Sequence, residues 1–187
     1  MGISSLPVRF LTSFRAAYQP AMNRPSITLA PIGLIRSGHA KPETTPIQPV
    51  YAADCLGRVE LYPEYADGLA DIEGFSHLYL IYHLHRAPAP RLRVKPFLED
   101  AEHGIFATRG PARPNPIGMS LVRLLSREGA VLHIAGVDIL DGTPLIDIKP
   151  YSPRYDLAES PRGGWTERIS DAEAHRRGRR DCPRPTA

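Results

Sequence analysis

The sequence has few of the features that mark metal-binding, disulfide-rich or membrane proteins. It contains two cysteines in 187 residues, Cys55 and Cys182, and no C-x-x-C pair. We therefore predict neither a zinc ribbon nor a disulfide framework, and a reducing cytoplasm is the simplest location. No apolar run approaches the roughly 18 residues of a membrane-spanning helix, so we predict no membrane span.

Short motifs of several common enzyme classes are also absent. No G-x-G-x-x-G follows a strand pattern, and no G-x-x-x-x-G-K-[ST] occurs. Neither a Rossmann dinucleotide site nor a phosphate-binding P-loop is therefore predicted. The absence of G-x-S-x-G weakens a serine-hydrolase interpretation in the same way.

The composition favours a single, turn-rich β domain. The chain has 20 prolines and 15 glycines, and 42% of its residues are hydrophobic, which is normal for a globular protein. Its length suits one domain with tails. Basic residues concentrate at the two ends, because residues 1–42 contain five of them and no acid, and five arginines follow residue 171. This distribution favours contact with a polyanion.

Residues 106–120 are predicted to be a stiff loop that presents hydrogen-bond donors. Three prolines restrict its backbone to extended conformations, and glycines punctuate both ends. Such a loop has little conformational entropy left to lose when it binds a ligand. Its side chains Arg109, Arg113 and Asn115 donate several hydrogen bonds each. We therefore predict that this loop binds a ligand.

Residues 75–85 form the strongest predicted strand. One face carries leucines and Tyr82, and the other carries three histidines, His77, His83 and His85. Histidines on one strand face allow a metal site, so a metal-dependent hydrolase is an alternative function. Because no matching cluster of Asp, Glu or Cys supplies further ligands, we favour histidines that hydrogen-bond within a pocket or core, and we predict no metal.

Residues 131–140 and 143–149 are predicted to be strands joined by a turn at Asp141-Gly142, and residues 119–125 are predicted to form a hairpin with the first of them. On residues 143–151, the side chains of Asp147, Lys149 and Tyr151 share one face. A carboxylate, an ammonium and a phenol in a row are not typical of a core. They form either a surface ion pair or the wall of an active site.

Several segments of the sequence together resemble the TrmO family, whose members are tRNA N6-threonylcarbamoyladenosine methyltransferases. The segments are residues 74–83, 105–120 and 136–151, and residues 31–37 resemble the first strand of the family. Several motifs in the same order are far more specific than one short motif. The resemblance is to the short form of the family, which lacks an additional C-terminal domain.

The resemblance implies a mainly β, non-Rossmann fold: a single compact antiparallel β-barrel-like domain with few short helices. It also implies that the protein forms a homodimer. Residues 1–26 would be a disordered or mis-started N-terminal extension, although a mitochondrial transit peptide is also compatible with them. Residues 27–156 would be the barrel that binds S-adenosylmethionine. Residues 157–187 would be a polar, arginine-rich tail. The pattern of residues 171–174 is compatible with the start of a helix, and we expect residues 170–187 to be disordered without a partner.

The resemblance also implies an activity and a set of site residues. The protein would transfer a methyl group from S-adenosylmethionine to the exocyclic N6 of threonylcarbamoyladenosine at position 37, in the tRNA anticodon loop. The expected cofactor-binding residues are Phe75, His77, His83, Arg109, Arg113, Asn115, Ile117, Ser120, Asp138, Leu140 and Thr143. The expected tRNA-contacting residues are Arg36, Arg113, Lys149, Arg176, Arg177, Arg179 and Arg180.

The chemistry of the transfer suggests catalytic roles for Asp147, Lys149 and Tyr151. The target nitrogen is a poor nucleophile, so we assign Asp147 as the proton acceptor. Lys149 and Tyr151 would orient the carboxylate and carbamoyl oxygens of the substrate. In an alternative assignment, Arg113 contacts the threonyl carboxylate. A non-catalytic nucleotide- or RNA-binding module is a further alternative to the enzyme.

Overall fold

Alternating apolar and polar residues form the strands of the computed structural model, which describes residues 25–180. The strands are β1 Gly33–Ser37, β2 Leu56–Leu61, β3 His77–His83, β4 Arg93–Val94, β5 His103–Gly104, β6 Ile117–Glu128, β7 Val131–Ala135 and β8 Thr143–Pro150. The α-helices are α1 Pro153–Asp156 and α2 Asp171–Arg179. Short 3-10 helices cover Pro42–Thr44, Pro49–Tyr51, Pro63–Leu69, Ile72–Gly74, Ile105–Ala107 and Gly164–Arg168.

Six strands close into an antiparallel barrel in the order β1, β2, β7, β6, β3, β8. Strands β6 and β7 form the predicted hairpin, and β8 closes the barrel by pairing with both β1 and β3. The short strands β4 and β5 form a separate ribbon. Closure leaves the barrel without a free sheet edge. The expected mainly β, non-Rossmann barrel with few short helices is confirmed.

The barrel interior is filled by the inward-facing residues of its strands. The predicted alternation of β3 is confirmed, because Leu78, Leu80 and Tyr82 are buried whereas His83 is exposed. Burying one branched side chain contributes about 1.5–3 kcal/mol, so this core fixes the strands whose ends and outer faces carry polar residues. Other strands contribute Ile35, Val59, Val122, Leu132, Ile134 and Leu145.

The predicted hairpin between residues 131–140 and 143–149 is wrong. Strand β7 ends at Ala135 and pairs with β2 and β6, whereas β8 pairs with β1 and β3. Gly136 has a φ of 84°, which glycine adopts without strain, and directs the chain across one end of the barrel. The turn at Gly142 joins this crossing segment, residues 136–142, to β8 instead of joining two paired strands.

The helical start at residues 171–174 is confirmed, but the expectation of disorder is wrong for the rest of α2, which continues to Arg179. The Ser170 side chain caps this helix by accepting the Glu173 N–H at 3.3 Å. Gly178 is buried where the helix packs against Tyr51. Residues 1–24 and 181–187 lie outside the described part of the chain, and with them most of the predicted N-terminal extension and the end of the predicted tail.

Smaller differences concern the first strand and the cysteines. The first strand, which the resemblance places at residues 31–37, begins at Gly33, although the Ile32 N–H already donates to the Leu145 carbonyl at 2.8 Å. Cys55 is disulfide-bonded, which its spacing in the sequence does not predict. The other cysteine, Cys182, lies outside the described residues. Within residues 25–180, no helix has the length and apolar character needed to cross a membrane.

Candidate functional site

A hydrogen-bonded cluster of polar side chains lies at the barrel end where β3 finishes and β6 starts. Ser120 is buried on β6, and its Oγ donates to Asp138 Oδ1 at 2.6 Å. The Tyr82 hydroxyl lies 2.9 Å from the same Oγ. Because the single proton of Ser120 goes to Asp138, Tyr82 is the donor in the second bond. Tyr82, Ser120 and Asp138 are termed the barrel-end cluster.

Gly118 gives the Tyr82 ring its space. The two residues are paired in the β3–β6 register, and a Cβ at position 118 would overlap the Tyr82 ring. Only glycine therefore lets the ring lie across β6, from where its hydroxyl reaches Ser120 two residues further along the strand. The sequence Gly118-x-Ser120 is thus explained by one packing requirement and one hydrogen bond.

The environment of the barrel-end cluster changes the acidity of its members. Burial raises the pKa of the Asp138 carboxyl to about 7, although the Ser120 hydrogen bond and the charge of Arg109 oppose the rise. Burial also raises the pKa of the Tyr82 hydroxyl, so Tyr82 remains a hydrogen-bond donor at neutral pH. The charge of Asp138 therefore changes near physiological pH, which is typical of functional carboxyls.

The crossing segment that carries Asp138 is fixed by bonds from neighbouring side chains. His39 is buried and donates from Nε2 to the Val137 carbonyl at 2.8 Å. Thr143 is also buried, and its Oγ1 donates to the Leu140 carbonyl at 2.7 Å. The predicted cofactor residues Leu140 and Thr143 thus lie in the same segment as Asp138 or directly after it.

The two arginines of the proline-rich loop have different surroundings. Arg113 donates from Nη1 to the carbonyls of Ile105 and Thr108 at 3.1 and 2.8 Å, so it holds the loop together from within. Arg109 is exposed and donates from Nη1 to Gln48 Oε1 at 2.8 Å. Its positive charge also acts on the barrel-end cluster, where it opposes the rise in the pKa of the Asp138 carboxyl. Arg109 is therefore the arginine better placed to meet a ligand.

The remaining predicted residues of this loop lie beside the end of β3. Ile117 pairs with His83 in the β3–β6 register, and the Ile117 N–H donates to the Asn115 carbonyl at 2.8 Å. The Pro116 carbonyl accepts the Leu84 N–H at 2.7 Å. These bonds fasten the loop to the barrel end that carries the cluster.

The predicted catalytic residues lie on the outer face of β8 and just beyond it. Lys149 Nζ is 2.9 Å from Asp147 Oδ2, and both side chains are substantially exposed. The Tyr151 N–H donates to the His77 carbonyl at 3.0 Å, and the Tyr151 ring meets the rings of His77 and Tyr79 edge-on, with centroids 6.3 and 6.1 Å away. Asp147, Lys149, Tyr151, His77 and Tyr79 are termed the outer-face group.

The structure divides the predicted cofactor residues between two regions. Phe75 lies just before β3 and His77 is its first residue, whereas His83 is its last. Because a strand rises about 3.3 Å per residue, the six steps from His77 to His83 correspond to about 20 Å. The residues near the barrel end are His83, Arg109, Arg113, Asn115, Ile117, Ser120, Asp138, Leu140 and Thr143.

The three histidines of the hydrolase alternative do not converge. His77 and His83 are too far apart to bind one ion, and His77 Nδ1 lies 2.9 Å from Ser76 Oγ. His85 Nδ1 is 3.3 Å from Thr143 Oγ1. Among residues 25–180, no group of three or more His, Cys, Asp or Glu side chains is arranged to hold a metal ion. The geometry therefore gives the hydrolase alternative no support.

The basic residues predicted to contact tRNA make many contacts within the protein. Arg36 forms an ion pair with Glu60 at 2.9 Å. In α2, two arginines pair with Glu173 of the same helix. The Arg180 guanidinium lies 4.2 Å from the centroid of the Phe97 ring. Contact with tRNA through these residues stays a prediction, and it would require phosphates to compete with the present partners.

Several residues of the site were not identified from the sequence. Tyr82 lies on the apolar face of β3, and the only hint is a hydroxyl on an otherwise apolar inner face. His39 and Gln48 contact their partners across long sequence separations. Such contacts follow from barrel closure and not from local spacing.

Comparison with known proteins places these features in context. Residues 34–157 match the tRNA-methyltransferase O N-terminal domain. A probable S-adenosyl-L-methionine-binding protein of Pyrococcus abyssi is 55% identical over 142 residues, which cover 76% of this chain and 77% of that protein. The tRNA (adenine(37)-N6)-methyltransferase of Mus musculus is 36% identical over 149 residues, which cover 76% of this chain and 35% of the mouse protein.

A solved structure has the same fold. The crystal structure of TrmO from P. aeruginosa superposes with a TM-score of 0.66 at 36% identity, covering 79% of this chain and 64% of that chain. The present chain therefore spans less than two thirds of both the mouse protein and the P. aeruginosa chain.

Proposed function

Because the chain belongs to the tRNA-methyltransferase O family, we propose that it transfers a methyl group from S-adenosylmethionine to a tRNA. The proposed target is the exocyclic N6 of threonylcarbamoyladenosine at position 37, beside the anticodon, and the proposed location is the cytoplasm. The observation that carries the proposal is the partly buried Asp138 carboxyl, which accepts a hydrogen bond from Ser120 Oγ at 2.6 Å at one end of a non-Rossmann barrel and lies within the electrostatic influence of Arg109.

The charges at the barrel end suit S-adenosylmethionine. When bound, this cofactor supplies a methyl group on a positively charged sulfur, and it also carries an ammonium and a carboxylate. The ionised Asp138 would attract the positive groups, and Arg109 would bind the carboxylate through its forked N–H groups. The internal bonds of Arg113 keep the loop rigid, which lowers the entropy lost on binding.

The outer-face group suits the second substrate. The substrate carboxylate would bind Lys149, with the Tyr151 hydroxyl donating to a carbamoyl oxygen. In the free protein Lys149 forms an ion pair with Asp147 at 2.9 Å. When the substrate carboxylate takes over Lys149, the Asp147 carboxylate leaves this pair and accepts the proton from N6. Substrate binding thereby frees the base for the proton transfer.

Positioning supplies most of the remaining catalysis. The transfer is an in-line displacement, which is fastest when the nitrogen and the methyl carbon are held about 3–3.5 Å apart. An anticodon-loop base lies outside a continuous duplex, so its presentation to the protein costs less than the extraction of a paired base. The protein therefore needs to orient the base more than to expose it.

The proposal includes a homodimer. On the outer side of β6, Ile117, Met119 and Leu125 have exposed fractions of 41%, 49% and 43%. A second copy that covers this apolar strip would remove it from water. Light scattering should show a dimer that Met119→Glu dissociates. The matched control is Leu56→Glu on β2, an exposed leucine on another part of the barrel, which should leave the dimer intact.

Transfer of a radiolabelled methyl group tests the proposed activity. The substrates are tRNA that carries threonylcarbamoyladenosine and the same tRNA with unmodified adenosine at position 37. We expect label only in the first. Label in neither tRNA, with S-adenosylmethionine still bound, would favour the non-catalytic binding module.

Substitution of the proposed base provides the residue-level test. Asp147→Asn should lower the rate about 100-fold or more, because general-base catalysis contributes roughly 10²–10⁴-fold. The matched control is Glu64→Gln, an exposed carboxylate on the 3-10 helix Pro63–Leu69, which should transfer methyl groups at the wild-type rate. Undiminished turnover in Asp147→Asn would remove Asp147 from this role.

A further inference from the structure

Helix α2 packs on the segment that leads into the 3-10 helix Pro49–Tyr51. The Ile47 N–H donates to the Gly178 carbonyl at 3.0 Å. The Tyr51 ring meets the His175 ring edge-on with centroids 5.9 Å apart, and it also lies against Gly178. The end of the described chain therefore fixes a segment that precedes β2.

The residues before α2 hold a second segment, which leads into the proline-rich loop. Trp165 Nε1 donates to the Ala107 carbonyl at 2.7 Å, and the Trp165 ring stacks on His103 with centroids 4.8 Å apart. Arg168 pairs with Glu99 at 3.0 Å, and Glu99 also accepts from His103 at 2.7 Å. The same C-terminal region thus contacts both the start of the proline-rich loop and the segment before it.

These two sets of contacts meet at Arg109. Ala107 lies two residues before it, and Gln48, which follows Ile47, accepts its Nη1–H at 2.8 Å. The Gln48 side chain is itself oriented, because its Nε2 donates to the Ile47 carbonyl at 2.6 Å. We propose that residues 163–180 act as a brace that positions Arg109 for cofactor binding, with Gln48 as the positioning residue. This proposal rests on the proposed cofactor site.

The brace depends on the absence of a side chain at position 178. A Cβ there would overlap the Tyr51 ring, so the ring or the helix would have to move. Alanine is intrinsically a better helix former than glycine. The substitution Gly178→Ala therefore strengthens the helix itself while weakening its docking, which separates the two effects.

Calorimetry with S-adenosylmethionine tests the brace through a double-mutant cycle. The variants are Gly178→Ala, Gln48→Ala and their combination. Each single change should raise the dissociation constant about fivefold, the usual effect of one lost hydrogen bond. The combination should raise it by no more than either alone, because both changes act through the same contact to Arg109.

One control variant isolates this contact. Ala172→Gln changes an exposed position of α2 and should leave binding of S-adenosylmethionine unchanged. Circular dichroism and thermal melting establish that each variant is folded. A folded Gly178→Ala within twofold of wild-type affinity, or strictly additive effects in the cycle, would overturn the brace.

Hydrogen exchange separates failure of the brace from failure of the proposed function. If the wild type binds no S-adenosylmethionine, the cofactor site is wrong, and the brace is then tested without ligand. Exchange of the Ile47 amide and of the amides of residues 106–110 should be about tenfold faster in Gly178→Ala. Unchanged exchange of these amides would contradict the brace.

Discussion

A rise in pH from about 5.5 to about 7.5 should strengthen the binding of S-adenosylmethionine, because it ionises Asp138. The pKa of this carboxyl is raised from its usual value to about 7 by burial, so the carboxyl is neutral and attracts the cationic cofactor weakly at the lower pH. The ionised fraction grows from about 3% to about 75% over this range. The apparent dissociation constant should fall roughly twentyfold if the ionised form alone binds.

Calorimetry of the wild type and of Asp138→Asn across this pH range measures the effect. The α-amino group of the cofactor, with a usual pKa of about 7.7–8.0, stays largely protonated there and does not reverse the trend. The asparagine variant still accepts the Ser120 hydrogen bond but cannot ionise, so its affinity should be low and independent of pH. An equal pH dependence in both proteins would refute the role of Asp138.

The barrel-end cluster gives further predictions for stability, each measured by urea unfolding. Between about pH 4 and pH 7 the folded wild type holds a proton on Asp138 that the unfolded chain releases. The free energy of unfolding should therefore fall by on the order of 4 kcal/mol as the pH rises through this range. Asp138→Asn should lack this decline. Gly118→Ala should lose about 1–3 kcal/mol because its Cβ overlaps the Tyr82 ring; Gly68→Ala, where a Cβ meets nothing within 4 Å, is the control and should lose less than 1 kcal/mol, roughly the level of surface changes. Ser120→Ala should also cost about 1–3 kcal/mol because it leaves the Tyr82 hydroxyl unpaired. In the wild type the Ser120 hydrogen bond lowers the pKa of Asp138, so its removal should raise this pKa and shift the pH dependence of cofactor binding to higher pH.

The strands were predictable because their signal is local. The alternation of β3 places leucines inside and histidines outside, and the short separation of five residues between residues 119–125 and 131–140 identifies the β6–β7 hairpin. The partner of β8 was not predictable in the same way. Asp141-Gly142 is a turn in either topology, and closure of the barrel decides which strands pair across it.

The polar loop of the site was predictable, whereas its supporting contacts were not. Arg109 and Arg113 stand out in the sequence because prolines fix the backbone between and around them. Their different roles depend on carbonyls of the loop itself and on Gln48, 61 residues away from Arg109. The arginine-rich composition of residues 170–180 suggested disorder. The full helix was not predictable because the buried Gly178 packs against Tyr51, which is distant in the sequence.

The central claim concerns the base that receives the methyl group. Nucleoside mass spectrometry of tRNA incubated with the protein and S-adenosylmethionine tests it most directly. The account predicts that threonylcarbamoyladenosine gains one methyl group on N6, at position 37, and that this product disappears with Asp138→Asn. Methylation of a different nucleoside, or none when the cofactor binds, would contradict it.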